Sequence, residues 1–320
     1  MLYRQWKSCI YVMVLMVCFC PVIQAEGKLR VKTQNNSLVS KISSPENSDE
    51  GAKQIRSLNM INPIPFITQD YVINLDDAQT IPQTIEKSEF SRLVWSDEFN
   101  TGNTPDSTKW GYSVGTGDGG WGNSELQYYT ESPKNVIVQD GLLKIKAIRE
   151  DYKGSAYTSA KLLSKNKFEF KYGRVEVSAR LPKGNGPWPA IWMLGSNIGT
   201  TGWPACGEID IMEHHGFEMN KIFGTLHYPG RSGGNPDGNT KMISDASTAF
   251  HKYSLEWSAS AIRILVDDQL CHFVKNSSDL PFNHNFFLIL NLAIGGTFGG
   301  AVDPKLAGAT MEVDYIRVYQ

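Results

Sequence analysis

From Gly173 to Leu181 apolar and polar residues alternate without a break, as Gly173-Arg174-Val175-Glu176-Val177-Ser178-Ala179-Arg180-Leu181. Successive side chains of a β-strand point to opposite faces, so this run is the pattern of a strand with one face buried. The same texture extends from Leu93 to the C-terminus. Val136-Ile137-Val138, then Asp140-Gly141, then Leu142 to Ala147 reads as strand, turn, strand. Ile262 to Val266, then Asp267-Asp268, then Leu270 to Phe273 reads as a second hairpin. Phe286 to Ala293 reads as a fully apolar run, and Met311 to Tyr319 closes the chain with alternation. No window carries the period of a long amphipathic helix. Glycine (29 residues) and proline (15) are slightly abundant, which suits turn-rich β structure. The expectation is an all-β sandwich or barrel over residues 89–320.

The N-terminus reads differently. Arg4 and Lys7 form a positive region, Ile10 to Phe19 is apolar, and Gln24-Ala25 offers a small-residue cleavage point. Residues 1–25 therefore read as a secretory signal peptide, which implies a secreted, periplasmic or envelope protein. Residues 26–88 read as a polar, flexible segment: Asn35-Asn36-Ser37 and Ser43 to Ser48 lack any period, and Pro63 and Pro65 interrupt the more apolar stretch. Cys9, Cys18 and Cys20 lie in the leader, leaving Cys206 and Cys271. Export permits a disulfide between them; the reading favours two packed free thiols.

Charge excludes some functions. With 31 Lys+Arg against 33 Asp+Glu the formal net charge is -2, which argues against a strongly basic nucleic-acid binder. Gly115-Thr116-Gly117-Asp118-Gly119-Gly120 matches a dinucleotide fingerprint, but Trp121-Gly122-Asn123 follows it where a helix is required, so no nucleotide cofactor is expected. Gly230-Arg231-Ser232-Gly233-Gly234 matches a nucleophile elbow but runs into Asn235-Pro236-Asp237-Gly238, a loop. His214, His215 and His227 match no standard zinc spacing.

The chemistry concentrates in Gly207-Glu208-Ile209-Asp210-Ile211-Met212-Glu213-His214. On a regular strand Glu208 and Asp210 share a face while Ile209 and Ile211 share the other. Strict alternation would bury Glu213 with the isoleucines, at a high cost for an unpaired carboxylate. A β-bulge around Ile211-Met212 returns Glu213 to the acidic face. Three neighbouring acids raise one another's pKa. Glycoside hydrolysis needs such a pair, one carboxyl ionised and one protonated. A calcium site or a solvated acidic face fits the acids alone equally well. Nearby aromatics favour a sugar cleft: Trp188 and Trp192 in Pro187 to Leu194, Trp203 in Gly202-Trp203-Pro204, and Trp121 with Tyr128-Tyr129 from an earlier loop.

These residues resemble glycoside hydrolase family 16, in its laminarinase-like branch. Glu208-Ile209-Asp210-Ile211-Met212-Glu213 matches the family's bulged catalytic strand at every position, and Trp95 to Phe99, Asn123 to Thr130, Lys171 to Arg174, Trp188 to Met193 and Asn291 to Gly296 resemble the branch as well. The resemblance implies a concanavalin-like jelly-roll β-sandwich whose concave face holds a substrate cleft. It implies a retaining endo-β-1,3-glucanase acting on β-glucan polysaccharide, with Glu208 as nucleophile, Glu213 as acid/base and Asp210 assisting. It implies sugar contacts at Asn123, Arg174, Trp188, Trp192, Trp203 and His227. No cofactor is implied for catalysis; a structural Ca²⁺ is implied at Glu98, Gly141 (through its carbonyl) and Asp314. Lys161 departs from the Arg that many relatives carry there. A monomer is the expected state. The competing readings are a mixed-linkage β-1,3-1,4-glucanase, a galactan hydrolase or a transglycosylase on the same site, and a non-catalytic glucan-binding module.

Overall fold

The two tight turns read from sequence close as hairpins. Val136–Gln139 pairs antiparallel with Leu142–Tyr152 through Asp140 (φ 59°) and Gly141 (φ 72°), and Ala261–Val266 pairs with Gln269–Lys275 through Asp267 (φ 49°) and Asp268 (φ 60°). Two successive positive φ angles match the twist of the flanking strands; glycine and aspartate tolerate them better than most residues. The computed structural model describes residues 88–320 and, before them, the strands Leu29–Gln34, Ser37–Ile42 and Val72–Ile73.

Residues 84–320 form one compact unit built on two sheets. The seven-stranded sheet runs, neighbour to neighbour, Asp237–Met242, Lys221–His227, Glu208–Glu213, Pro187–Gly195, Phe286–Ile294, Lys161–Leu163 and Gly111–Tyr112, antiparallel throughout. At the middle of the ten-stranded sheet Gly173–Arg180 lies between His251–Trp257 and Gly308–Tyr319. The alternation that marked Gly173 to Leu181 is used as expected: Val175, Val177 and Ala179 are buried. They join one core with Ile191, Met193, Ile209, Ile211, Met212, Leu288 and Leu290 from the other sheet. Each of the valine, isoleucine, leucine and methionine side chains contributes about 1.5–3 kcal/mol on burial, so the interior between the sheets supplies the stability. The fold is the all-β jelly-roll sandwich expected; among the described residues the α-helices are single turns, Ile198–Thr201 and Gly296–Gly299. Cys206 and Cys271 are buried free thiols.

The two rejected motifs are loops. Gly115 to Gly120 leads into an irregular turn at Gly120–Ser124, and Gly230 to Gly234 joins Lys221–His227 to Asp237–Met242. The leader, residues 1–25, lies outside the described residues, as does most of 26–88. In the first unit, residues 1–83, the backbone of Leu29–Gln34 pairs antiparallel with both Ser37–Ile42 and Val72–Ile73. Leu29, Val31 and Thr33 alternate with charged and polar residues there, a strand pattern within a segment read as polar linker.

Gly207 fixes the entry to the acidic strand. Its φ is +73°, and a Cβ there would lie 2.6 Å from the Pro281 carbonyl oxygen and 2.9 Å from Phe286 Cζ. Gly207→Ala is therefore expected to lower stability by more than about 1 kcal/mol, read as a drop in Tm by calorimetry. An unchanged Tm would show that this approach is not needed.

Candidate active site

Glu208–Glu213 lies between Lys221–His227 and Pro187–Gly195. On one side Asp210 stands opposite Thr225 and Glu213 opposite Phe223, so one strand advances three positions while its partner advances two. On the other side Asp210 faces Trp192 and Met212 faces Ile191, so Ile211 is the extra residue. This is the bulge expected around Ile211-Met212. Ile209, Ile211 and Met212 all enter the core, and Glu208, Asp210 and Glu213 line the outer face together.

Each acid has a defined partner. Trp203 Nε1 donates to Glu208 Oε2 at 3.0 Å, and Trp188 Nε1 donates to Glu213 Oε1 at 3.1 Å. His227 Nδ1 accepts the Gly233 amide at 3.2 Å. A neutral ring then carries its proton on Nε2, the atom 3.3 Å from Asp210 Oδ2 and 3.8 Å from Glu208 Oε1. Burial, reinforced by the charge of Asp210, pushes Glu208 and Glu213 up to about 8. Burial holds Asp210 well above the usual carboxylate range. The three acids therefore titrate as one coupled cluster that gives up its protons at higher pH than isolated carboxylates would.

The predicted sugar contacts divide. Trp203 is 48% exposed, presents its ring to the site and lies 5.8 Å from the His227 ring. Trp192 lies across from Asp210, and Trp188 is nearly buried beside Phe298. Asn123 joins Trp188 through Gly296, where a Cβ would sit 2.8 Å from the Asn123 carbonyl oxygen and 3.4 Å from Trp188 Cζ3. From Trp192 a groove of about 480 Å³ continues over Trp121, Lys161 and Ile289 to Tyr112. Its Lys161 ammonium sits 4.5 Å from the Trp121 ring and 4.8 Å from the Trp192 ring, and burial lowers its pKa.

Arg174 does not join the site. It stands on the ten-stranded sheet with Val175 and Val177 facing the core, so it points outward on the face opposite the acids. Glu176, Glu256 (3.2 Å) and Asp268 (3.2 Å) hold its guanidinium. Tyr129, read as a cleft aromatic, is fully buried instead. His214 and His215 turn to local partners, His214 Nε2 to the Met219 carbonyl at 2.6 Å and His215 Nε2 to Glu218 at 3.4 Å.

Neither candidate metal set fits a cation as arranged. Arg317 engages both carboxylate oxygens of Glu98, at 3.0 and 2.8 Å, and holds its pKa low. A guanidinium there opposes Ca²⁺, which needs free oxygen ligands. Asp314 accepts from Ser178 Oγ at 3.4 Å, and Gly141 forms the hairpin turn. Glu208, Asp210 and His227 bring one ligand atom each within 4.8 Å of one another. Trp203 Nε1 already donates to Glu208, and with Nδ1 taken by the Gly233 amide a neutral His227 turns a protonated Nε2 to Asp210, where a metal needs a free lone pair.

Sequence reasoning missed the polar network beneath Trp192. Asn291 Oδ1 accepts from Trp192 Nε1 at 2.7 Å, and Asn291 Nδ2 donates to Tyr129 Oη at 3.0 Å. The signal was available: Asn291 is the one polar residue in the run Phe286 to Ala293, which is not fully apolar.

Buried carboxyls of raised pKa, flanked by indoles on the open face of a jelly-roll sandwich, define a glycoside hydrolase. Comparison with known proteins agrees. The family model described as Glycosyl hydrolases family 16 matches residues 123–317. A second, described as Beta-glucan synthesis-associated protein SKN1/KRE6/Sbg1, matches residues 3–211. A beta-glucanase of Rhodothermus marinus is 44% identical over 251 residues, 73% of this chain and 87% of that protein. A glucan endo-1,3-beta-glucosidase of Cryptopygus antarcticus is 40% identical over 250 residues, 70% of this chain and 90% of that protein. The X-ray structure of the laminarinase from Rhodothermus marinus superposes with a TM-score of 0.69 at 45% identity, covering 72% of this chain and 97% of that one. The chain belongs to glycosyl hydrolases family 16.

Proposed function

We propose that this protein is an exported, retaining endo-β-1,3-glucanase that cleaves laminarin-type β-glucan. The observation that carries the reading is the bulged strand, which turns Glu208, Asp210 and Glu213 to one face with an indole donor on each outer acid. In the first step Glu208, ionised, attacks the anomeric carbon while Glu213, protonated, gives its proton to the departing glycosidic oxygen. In the second, Glu213 takes a proton from water, and that water displaces Glu208 from the sugar. Two inversions return the β configuration. The Trp203 indole favours the ionised Glu208, to which it donates. Asp210, whose protonated form burial favours, shares the face of Glu208 and, when it carries a proton, stabilises the charge on that neighbour. His227 holds that pair from the neighbouring strand. Trp203 and Trp192 offer flat faces to pyranose rings. The substrate reading draws support from the relatives named as laminarinase and endo-1,3-beta-glucosidase.

The test is to incubate the purified full-length protein with laminarin and follow early products by proton NMR. Internal cleavage with β-configured new ends is expected. Early α-ends would remove the double displacement. Cleavage of mixed-linkage glucan or galactan but not laminarin would move the substrate. Laminarin binding without products would favour a binding module.

A further inference from the structure

Glu125 is a carboxylate that this mechanism does not use, yet three side-chain donors converge on it. Asn123 Nδ2 reaches Oε1 at 3.4 Å; Gln127 Nε2 at 2.6 Å and the Tyr129 hydroxyl at 3.1 Å reach Oε2. No lysine, arginine or histidine lies within salt-bridge distance among the described residues. We propose that Glu125 is a positioning residue for the glucan cleft: through Tyr129 and Asn291 it sets the orientation of the Trp192 indole. This rests on the glucanase reading only for its effect on substrate.

The warrant is the direction in which the chain of hydrogen bonds must run. An ionised carboxylate only accepts, and an indole N–H only donates. With Glu125 at one end, the Tyr129 hydroxyl spends its hydrogen there and leaves its lone pairs to Asn291 Nδ2, 3.0 Å away. Asn291 then turns its Oδ1 to Trp192 Nε1, at 2.7 Å. Gln127 is polarised the same way, because the Ile294 amide donates to its Oε1 at 2.8 Å and its Nε2 must face Glu125. Tyr129 and Gln127 are fully buried beneath a half-buried Glu125, and a methionine of similar length in its place covers their donors without accepting from them. Without an acceptor at Glu125, Tyr129 donates to Asn291 instead. The amide flips, its Nδ2 meets the Trp192 N–H donor to donor, and the ring loses its anchor. Trp192 stands opposite Asp210 in the register, so its tilt is felt where the sugar meets the acids.

The experiment compares Glu125→Met, Glu125→Gln and Tyr129→Phe in the full-length protein. The first readout needs no substrate: the Trp192 indole N–H resonance, assigned by its loss in Trp192→Phe. It should move and exchange faster in Glu125→Met and Tyr129→Phe. It should stay in Glu125→Gln, whose amide oxygen keeps an acceptor for Tyr129. The second readout is turnover of laminarin. Glu125→Met should raise KM about tenfold, the worth of one good hydrogen bond, with kcat changed far less. In a Trp192→Phe background it should add nothing. An unmoved indole resonance in Glu125→Met or Tyr129→Phe overturns the proposal, as does additivity with Trp192→Phe. If Glu125→Met does not fold, Tyr129→Phe decides. Failure of the wild-type protein to cleave laminarin, with the resonance behaving as expected, would overturn the substrate reading and leave the positioning role standing.

Discussion

Glu208→Ala is expected to lower kcat on laminarin by at least about 10⁴-fold, the loss of about 5 kcal/mol of transition-state stabilisation. Without the carboxylate no glycosyl-enzyme can form, while the Trp203, Trp192 and Trp188 surfaces remain, so laminarin binding should persist. Azide added to the variant fills the vacated space and attacks from the same face. Its product should be an α-glycosyl azide, one inversion from the β-linked substrate. Near-normal turnover, or a β-azide, would remove Glu208 as nucleophile. A stability readout separates lost chemistry from lost fold. Glu208 is pushed from an ordinary 4.5 up to about 8, so between those values the folded state binds more protons than the unfolded state. Stability linked to this group therefore falls as pH rises through that window, and the cost is fully present above it. Glu208→Gln removes the ionisable group. Its Tm should match the wild type near pH 4 and exceed it above pH 8.

The features legible in the sequence are those that depend on local alternation or on two-residue turns. The burial of Val175 and Val177, the hairpins at Asp140-Gly141 and Asp267-Asp268, and the bulge at Ile211 all follow from which neighbours a short segment must hide. The bulge was legible because the alternative buried Glu213 without a partner, which is costly. Arg174 shows where that reasoning stops. Alternation says that it points away from the core, but which sheet carries it is decided by pairing with His251–Trp257 and Gly308–Tyr319, remote in sequence. The network under Trp192 is harder still. Tyr129 and Asn291 are 162 residues apart, and their hydrogen bond exists only because Gln127–Tyr129 and Phe286–Ile294, strands of different sheets, are brought together. A lone asparagine in an apolar run was the trace it left. The Glu98–Arg317 pair likewise joins the residue just after the strand Leu93–Asp97 to the last strand of this unit, and no local pattern marks it.

Glu213→Ala should lose activity in a way that depends on the leaving group. On laminarin, whose departing sugar alkoxide needs a proton, the loss is expected to be about 10²–10⁴-fold. On a dinitrophenyl β-laminaribioside, whose leaving group departs unaided, the first step should survive and the glycosyl-enzyme should accumulate as a burst. Azide attacks that intermediate without a general base and should give a β-glycosyl azide, the opposite anomer to that expected from Glu208→Ala. The pH profile assigns the proton. Glu213, pushed up to about 8 by burial and by Asp210, can donate only while protonated, so wild-type kcat/KM should fall as pH rises through that region. Glu208 must be ionised, so its protonation sets the acid limb. Because the two carboxyls interact, both limbs are properties of the pair. In Glu213→Ala the alkaline limb should disappear. The acid limb should stay close to its wild-type position, because Glu213 is protonated, and so uncharged, while Glu208 loses its proton. An alkaline limb that persists unchanged in Glu213→Ala would assign the donated proton to another group, and Asp210, the buried acid between them, is the residue to test next.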